Sequence, residues 1–298
     1  MKVLNFGALN IDYVYKLPHI VMKGETISSR SLNIYPGGKG LNQSVALGKA
    51  GANVFHAGAI GEEGRFLVEF LNESGVNTKF VKVLSDTKSG HAIIQNDEEG
   101  DNCIFLFGGA NQAITKEQID QTLAEFEKGD YLLLQNEIND VDYILDKAHE
   151  IGMQIVLNPS PMDEKIGKLS LEYVDYFLLN EIEANQILGK SFDSSEEILS
   201  GLAEKFPGAK IVLTLGGEGS MYHDGNKKVA QKIYPVETVD TTAAGDTFTG
   251  YFIAGEIKGQ EVEVSMDMAA KASAITVSRP GAGVSIPTLE EVEMAFIK

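Results

Sequence analysis

Two hydrophobic periods alternate along the chain. Residues 3–7 form a short apolar run and predict a buried first strand. Residues 39–50 carry small and apolar side chains at helical spacing, and 53–60 return to strand character. Residues 64–74 predict an amphipathic helix closed by Gly75. The stretches 123–126, 131–135, 141–151 and 154–158 predict helix, strand, helix and strand. Segments 176–179, 181–188, 196–206 and 210–215 renew the alternation, and 248–257 is again helical in content. Alternating elements with short connections predict an α/β chain, its mainly parallel sheet covered by helices on both faces. Two regions break the pattern. Residues 13–35 and 89–107 read as strands without helices, the second as a hairpin turning at 96–101. They predict a small antiparallel sheet projecting from the body. Ligands in such folds sit at the C-terminal ends of parallel strands, which makes the projecting sheet a candidate lid.

Composition narrows the function classes. With 298 residues and 43% hydrophobic content the chain can bury a large core. A formal net charge of −18 opposes nonspecific nucleic-acid binding, so no nucleic-acid partner is expected. No apolar run approaches membrane length, and Asp12 interrupts the region where a signal peptide needs an apolar core. A cytoplasmic enzyme is expected. Cys103 is the only cysteine, which excludes intramolecular disulfides and multi-cysteine metal sites. The five histidines form no close metal-binding pair.

The segment 240–250 reads Asp-Thr-Thr-Ala-Ala-Gly-Asp-Thr-Phe-Thr-Gly. Ala243, Ala244 and Gly245 lie between two aspartates, ahead of a helical stretch. Free N–H groups at a helix N-terminus can hold an anion, and Asp246 stands at the same spot as a candidate base. An anion hole beside a carboxylate suits phosphoryl transfer to an alcohol. An Asp-capped helix after a tight turn is the plainer alternative.

Other constellations carry similar pairs of readings. Residues 36–43, Pro-Gly-Gly-Lys-Gly-Leu-Asn-Gln, precede a helix. Gly38 would let backbone approach a ligand, with Lys39 and Asn42 offering donors, or the pair of glycines is simply a turn. It is not a Walker A loop, and the first strand is followed by no dinucleotide fingerprint. Asn10 and Asp12 leave the first strand on alternate positions and suit sugar hydroxyls, or form an Asx turn. Glu137 ends a strand region and faces either the site or solvent. Asn180 and Glu183 either position water-coordinated Mg2+ near phosphates, or cap a helix, and both can hold together. Thr214, Gly216 and Gly219 follow a strong strand and either pass over nucleotide phosphates or turn a hairpin.

The two segments Gly37-Gly38-Lys39-Gly40-Leu41-Asn42-Gln43 and Asp240 to Gly250 resemble both signatures of the ribokinase-like (PfkB-type) carbohydrate kinase family. The resemblance runs nearly end to end, through Gly109-Ala110-Asn111, 157–161, 180–184 and 279–287. It implies a single three-layer kinase domain over 1–298, with lid strands from about 13–35 and 89–107. It implies transfer of the ATP γ-phosphoryl to a sugar hydroxyl, D-ribose O5 foremost. A nucleoside or another small sugar is the nearer alternative, and a non-catalytic sugar binder on the same fold the distant one. By resemblance, Asp246 is the general base, and the N–H groups of Ala243, Ala244 and Gly245 form the anion hole. Asn10, Asp12, Gly38, Lys39, Asn42 and Glu137 contact sugar; Asn180 and Glu183 organise Mg2+ and phosphates; Thr214, Gly216 and Gly219 bind nucleotide. A monovalent cation, usually K+, would map onto Asp240, Thr242, Thr276, Arg279, Gly281 and Ser285. A homodimer through the lid is implied as well. Leu41 and Gly109 stand where the family often has Ala, and Lys271 lies at a variable position of a helix flanking the adenine.

Overall fold

The computed structural model describes residues 1–296. Its main sheet is assembled from β1 (Val3–Phe6), β4 (Val54–Gly61), β5 (Asn77–Leu84), β8 (Tyr131–Leu134), β9 (Gln154–Leu157), β10 (Tyr176–Asn180) and β11 (Lys210–Thr214). These run parallel in the order β11-β10-β9-β8-β1-β4-β5. The antiparallel strands β12 (Ser220–His223) and β13 (Lys228–Gln231) extend the β11 edge.

The central strands are short and apolar on both faces, as a sheet covered twice requires. Alternate residues feed opposite cores. Leu4, Phe6, Leu132, Leu134, Ile155, Leu157, Phe177 and Leu179 pack with α3 (Lys116–Leu123), α4 (Val141–Ile151), α5 (Glu181–Leu188) and α6 (Ser195–Lys205). Val3, Tyr131, Leu133, Val156, Tyr176 and Leu178 pack with α1 (Lys39–Lys49), α2 (Arg65–Glu73), α7 (Ala244–Ile257), α8 (Val262–Val277) and α9 (Leu289–Met294). The three layers expected from the sequence are present.

The second sheet has four strands in the order β3-β2-β6-β7, from β2 (Asn10–Lys16), β3 (Ser31–Gly37), β6 (Gly90–Asn96) and β7 (Asn102–Phe107). Its outer pairings are antiparallel, but β2 and β6 pair parallel. The reason is topological. Both strands leave the C-terminal edge of the main sheet, after β1 and after β5, and so run outward together; β3 and β7 return. The helix expected over 123–126 is instead α3, ending at Leu123. Its start is set by Thr115, whose side chain accepts from the Gln118 N–H at 3.2 Å, a cap that outweighs the apolar cluster after it.

Candidate active site

Parallel strands bring their C-terminal ends to one edge, and there the polar residues gather. β1 is followed by Asn10 and Asp12, β8 by Glu137, β10 ends at Asn180 and β11 at Thr214, with Asn180 and Thr214 in register side by side. The starts of α1 and α7 complete the ring. Gly38 precedes α1 with φ 94°, and a Cβ there would crowd the Ala8 carbonyl at 3.1 Å. Glycine is the residue that fits this conformation and this approach. The Leu41 N–H donates to the Ala8 carbonyl at 3.0 Å and ties α1 to the end of β1.

On one side of the cleft Asn10 is buried, and its Oδ1 accepts from Asn111 Nδ2 at 2.7 Å. Asn111 Oδ1 accepts from the Leu9 N–H at 3.0 Å, so Asn111 fixes which way Asn10 points. The Lys39 N–H donates to Glu137 Oε2 at 2.7 Å. Burial, reinforced by the nearby Glu137 carboxylate, pushes Asp12 up to about 7. Burial also raises Glu137 to about 7, against the pull of Lys39 and with the push of Asp246. The Lys39 ammonium is raised in turn, mainly by Asp246 against the cost of burial, then by Glu137 and Glu183. One cation thus sits in the field of several carboxylates.

Asp246 lies in the first turn of α7 and is buried. Its Oδ2 accepts from Asn42 Nδ2 at 3.0 Å, and its Oδ1 accepts from Gln43 Nε2 at 2.9 Å. Asn42 Oδ1 is buried with no partner among the described residues. Ala243 precedes the helix with φ 63°, a left-handed conformation that costs an alanine about 1–2 kcal/mol. The bend turns the helix start toward the cleft. The Ala244 N–H donates back to the Thr241 carbonyl at 3.3 Å, while among the described residues the Ala243 and Gly245 N–H groups have no protein acceptor. The Asp246 N–H is likewise without one, so open donors lie on both sides of Ala244.

On the other side of Gly245 lies a cleft of about 430 Å³, lined by Thr214, Gly216, Gly219, Phe248, Ala270 and Ala274, among others. Its mainly apolar wall suits a flat heterocycle. Asn180 and Glu183 stand nearby in a capping box: Asn180 Oδ1 accepts from the Glu183 N–H at 2.9 Å, and Glu183 Oε2 accepts from the Asn180 N–H at 3.0 Å. Among the described residues no three acidic or histidine side chains cluster as a ready metal cage. Lys271 pairs with Asp267 at 2.8 Å.

Behind the α7 start, Asp240 Oδ1 accepts from the Thr242 N–H at 2.9 Å and its hydroxyl at 2.6 Å, and Oδ2 accepts from the Gly281 N–H at 3.1 Å. Burial works against its charge, but these donors hold its carboxyl below the ordinary range. The Thr276 hydroxyl meets that of Thr247 at 3.1 Å, and Ser285 Oγ donates to the Ala282 carbonyl at 2.7 Å. The Arg279 guanidinium leads outward to Glu291 at 2.7 Å. Of the six residues singled out by resemblance, Asp240, Thr242 and Gly281 are joined directly, and the Arg279 side chain is turned elsewhere.

Sequence reading missed Gln43 and Asn111 as members of the site, although both stand inside segments it quoted. It did not single out Phe248, Ala270 and Ala274, the apolar residues of α7 and α8 that wall the cleft, although it placed a helix beside the adenine.

The chain matches the pfkB family carbohydrate kinase profile over residues 1–289. It is 34% identical to a ribokinase of Bacillus subtilis over 291 residues, covering 96% of each chain. Its fold is similar to a Cryptococcus neoformans ribokinase solved in complex with ADP, with a TM-score of 0.87, 32% identity and 98% of each chain covered. An Arabidopsis thaliana ribokinase complexed with ribose and ATP gives a TM-score of 0.86 at 27% identity, covering 98% of this chain and 97% of that one. With the family profile matched over nearly its whole length, this chain belongs to the pfkB family of carbohydrate kinases.

Proposed function

We propose that the protein is a ribokinase, moving the γ-phosphoryl of ATP to the 5-hydroxyl of D-ribose. The observation that carries the reading is the buried Asp246 carboxylate, aimed by Asn42 and Gln43 beside the open N–H of Gly245. Asp246 takes the proton of the attacking hydroxyl, and the Ala243 and Gly245 N–H groups receive the phosphoryl oxygens as charge shifts onto the leaving ADP. Ala244, whose N–H is drawn back to Thr241, shapes the loop between them. Asn10, Asp12, Gly38, Lys39, Asn42 and Glu137 hold the sugar. The unpartnered Asn42 Oδ1 and the carboxylates of Asp12 and Glu137 are acceptors for its hydroxyls. Their negative field suits a neutral polyol and disfavours an acceptor that already carries phosphate.

Thr214, Gly216, Gly219 and Gly245 line the nucleotide side. Asn180 and Glu183 fit Mg2+ through its water shell, since Glu183 commits one oxygen to the helix cap and keeps the other. When bound, the ion neutralises charge on the ATP phosphates. K+ fits the oxygen-rich loop of Asp240, Thr242, Thr276, Arg279, Gly281 and Ser285, with Arg279 contributing by its carbonyl. The four-stranded sheet acts as lid and as homodimer contact: Leu32 and Ile34 on β3 and Ile104–Phe107 on β7 are exposed apolar residues along its edges. Cytoplasmic location suits the free thiol of Cys103, and cell fractionation checks it.

The deciding experiment is ADP release with Mg-ATP and K+ across ribose, 2-deoxyribose, fructose 6-phosphate, adenosine and uridine. Dominant turnover with ribose is expected. Dominant turnover with a nucleoside moves the acceptor and keeps the base; silence across the panel sinks the reading.

A further inference from the structure

Gln43 is one end of a buried polar row whose hydrogen-bond direction can be worked out atom by atom. The other end is His56, fully buried and pushed down to about 4 by that burial, hence a neutral imidazole. His56 Nε2 lies 3.1 Å from the Gly7 carbonyl, which only accepts, so Nε2 carries the proton. Nδ1 is then an acceptor, and the Ser44 hydroxyl 2.7 Å away donates to it. Asn5 Nδ2 donates to Ser44 Oγ at 2.8 Å and to the Gly40 carbonyl at 2.7 Å, which commits both of its protons. Asn5 Oδ1 can therefore only accept, and it does so from Gln135 Nε2 at 3.0 Å. The second proton of Gln135 goes to Gln43 Oε1 at 2.7 Å. With its oxygen taken, Gln43 must present Nε2 to Asp246 Oδ1 at 2.9 Å and to Asn158 Oδ1 at 3.3 Å. Asn158 is itself fixed by donating Nδ2 to the Leu178 carbonyl at 2.8 Å.

We infer that Gln43 is the positioning residue for the Asp246 carboxylate, and that the row from Gly7 through His56, Ser44, Asn5 and Gln135 locks it in the donating orientation. Every link has one allowed polarity because three backbone carbonyls, at Gly7, Gly40 and Leu178, anchor it. Reversing Gln43 would set its oxygen against a carboxylate oxygen. The row keeps this order even at a cost: Gln135 Oε1 is left buried without a partner. An arrangement that leaves a buried acceptor empty while spending both amide protons on direction fits orientation of the reacting group better than stability alone. The charged groups whose fields act on Asp246 are Lys39 and Glu137, and neither belongs to the row.

The inference rests on Asp246 being the base, so the parent enzyme must first turn over ribose. If it does not, that reading fails before this one is tested. In an active parent, Gln43→Met is expected to lower kcat about 10- to 100-fold, the worth of one hydrogen bond to a charged group. The KM for ribose should change by less than about 3-fold. An unchanged kcat or a loss confined to KM overturns the inference. Should Gln43→Met fail to fold, Gln135→Met, which does not touch Asp246, is measured by the same criteria and expected to show the same changes at smaller size. Nitrogen NMR of the parent supplies a readout independent of turnover: His56 should be the Nε2–H tautomer, and an Nδ1–H tautomer refutes the direction of the row.

Discussion

Asp246 and Asp12 are both buried-side carboxylates of one cleft, yet their surroundings prepare them for different work. Asp246 receives donors on both oxygens, which suits a carboxylate that must be charged before it accepts a proton. Asp246→Asn should lower kcat by about 10²–10⁴-fold while calorimetry still detects ribose binding; retained turnover would remove Asp246 from its role. Asp12 is instead withdrawn from water within the field of Glu137, Glu137 is itself desolvated, and each is raised to about 7. Unfolded, both titrate near about 4. Between about pH 4 and pH 7 the folded protein therefore holds more protons than the unfolded chain. The stability these two groups contribute is greatest at the low end of that window and falls as pH rises through about 7. Asp12→Asn should flatten the fall of the ligand-free Tm between about pH 5 and pH 8, and it should weaken ribose binding. Parallel Tm profiles for parent and variant would contradict the assignment.

Between elements, the decisive contact is that of α1 with α7. A Cβ on Gly250 would collide with Ala46 Cβ and would lie 2.9 Å from the Leu47 nitrogen. Gly250 lies four residues after Asp246, and Ala46 four after Asn42, so this close contact one turn along each helix sets the Asn42–Asp246 hydrogen bond above it. Two effects compete in Gly250→Ala. Helix propensity favours alanine by about 1 kcal/mol, while overpacking costs about 1–3 kcal/mol. The clash should win because the obstacles are a neighbouring helix's backbone and a Cβ, neither of which can rotate away. We expect a lower Tm and a lower kcat, read by calorimetry and ADP release; a raised Tm would show that the two helices separate freely.

For the whole molecule, the large sheet gathers polar residues at its C-terminal edge, and the small one leaves that edge through β2 and β6. K+ should raise the rate, because an ion bound behind Asp240 would stiffen the loop that ends at Ala243 without touching the phosphates. Equal rates in K+ and in a buffer of large organic cations would remove the ion from the scheme. Exposed apolar residues on the small sheet, Phe105 and Leu106 among them, call for cover. Sedimentation should find a dimer at micromolar concentration, and Phe105→Lys should shift it to monomer. A monomeric parent would end the dimer proposal.

Periodicity alone determined the α/β alternation and most strand positions, because short apolar runs between helical stretches have few other solutions. The segments 36–43 and 240–250 each carried a chemical reading beside a plainer turn or cap, since a helix start beside small residues is a local arrangement. Other features were decided only by the tertiary structure. The parallel pairing of β2 with β6 depends on where two distant strands leave the main sheet. Asn5, Gln135 and His56 look in sequence like isolated polar residues within apolar strands. Their meaning lies in contacts between residues up to 130 positions apart, which no local pattern encodes. The same holds for Gln43, whose helix could have offered either end of its amide to Asp246. The choice between donor and acceptor was made by carbonyls on other elements, through hydrogen bonds that exist only once the chain has folded.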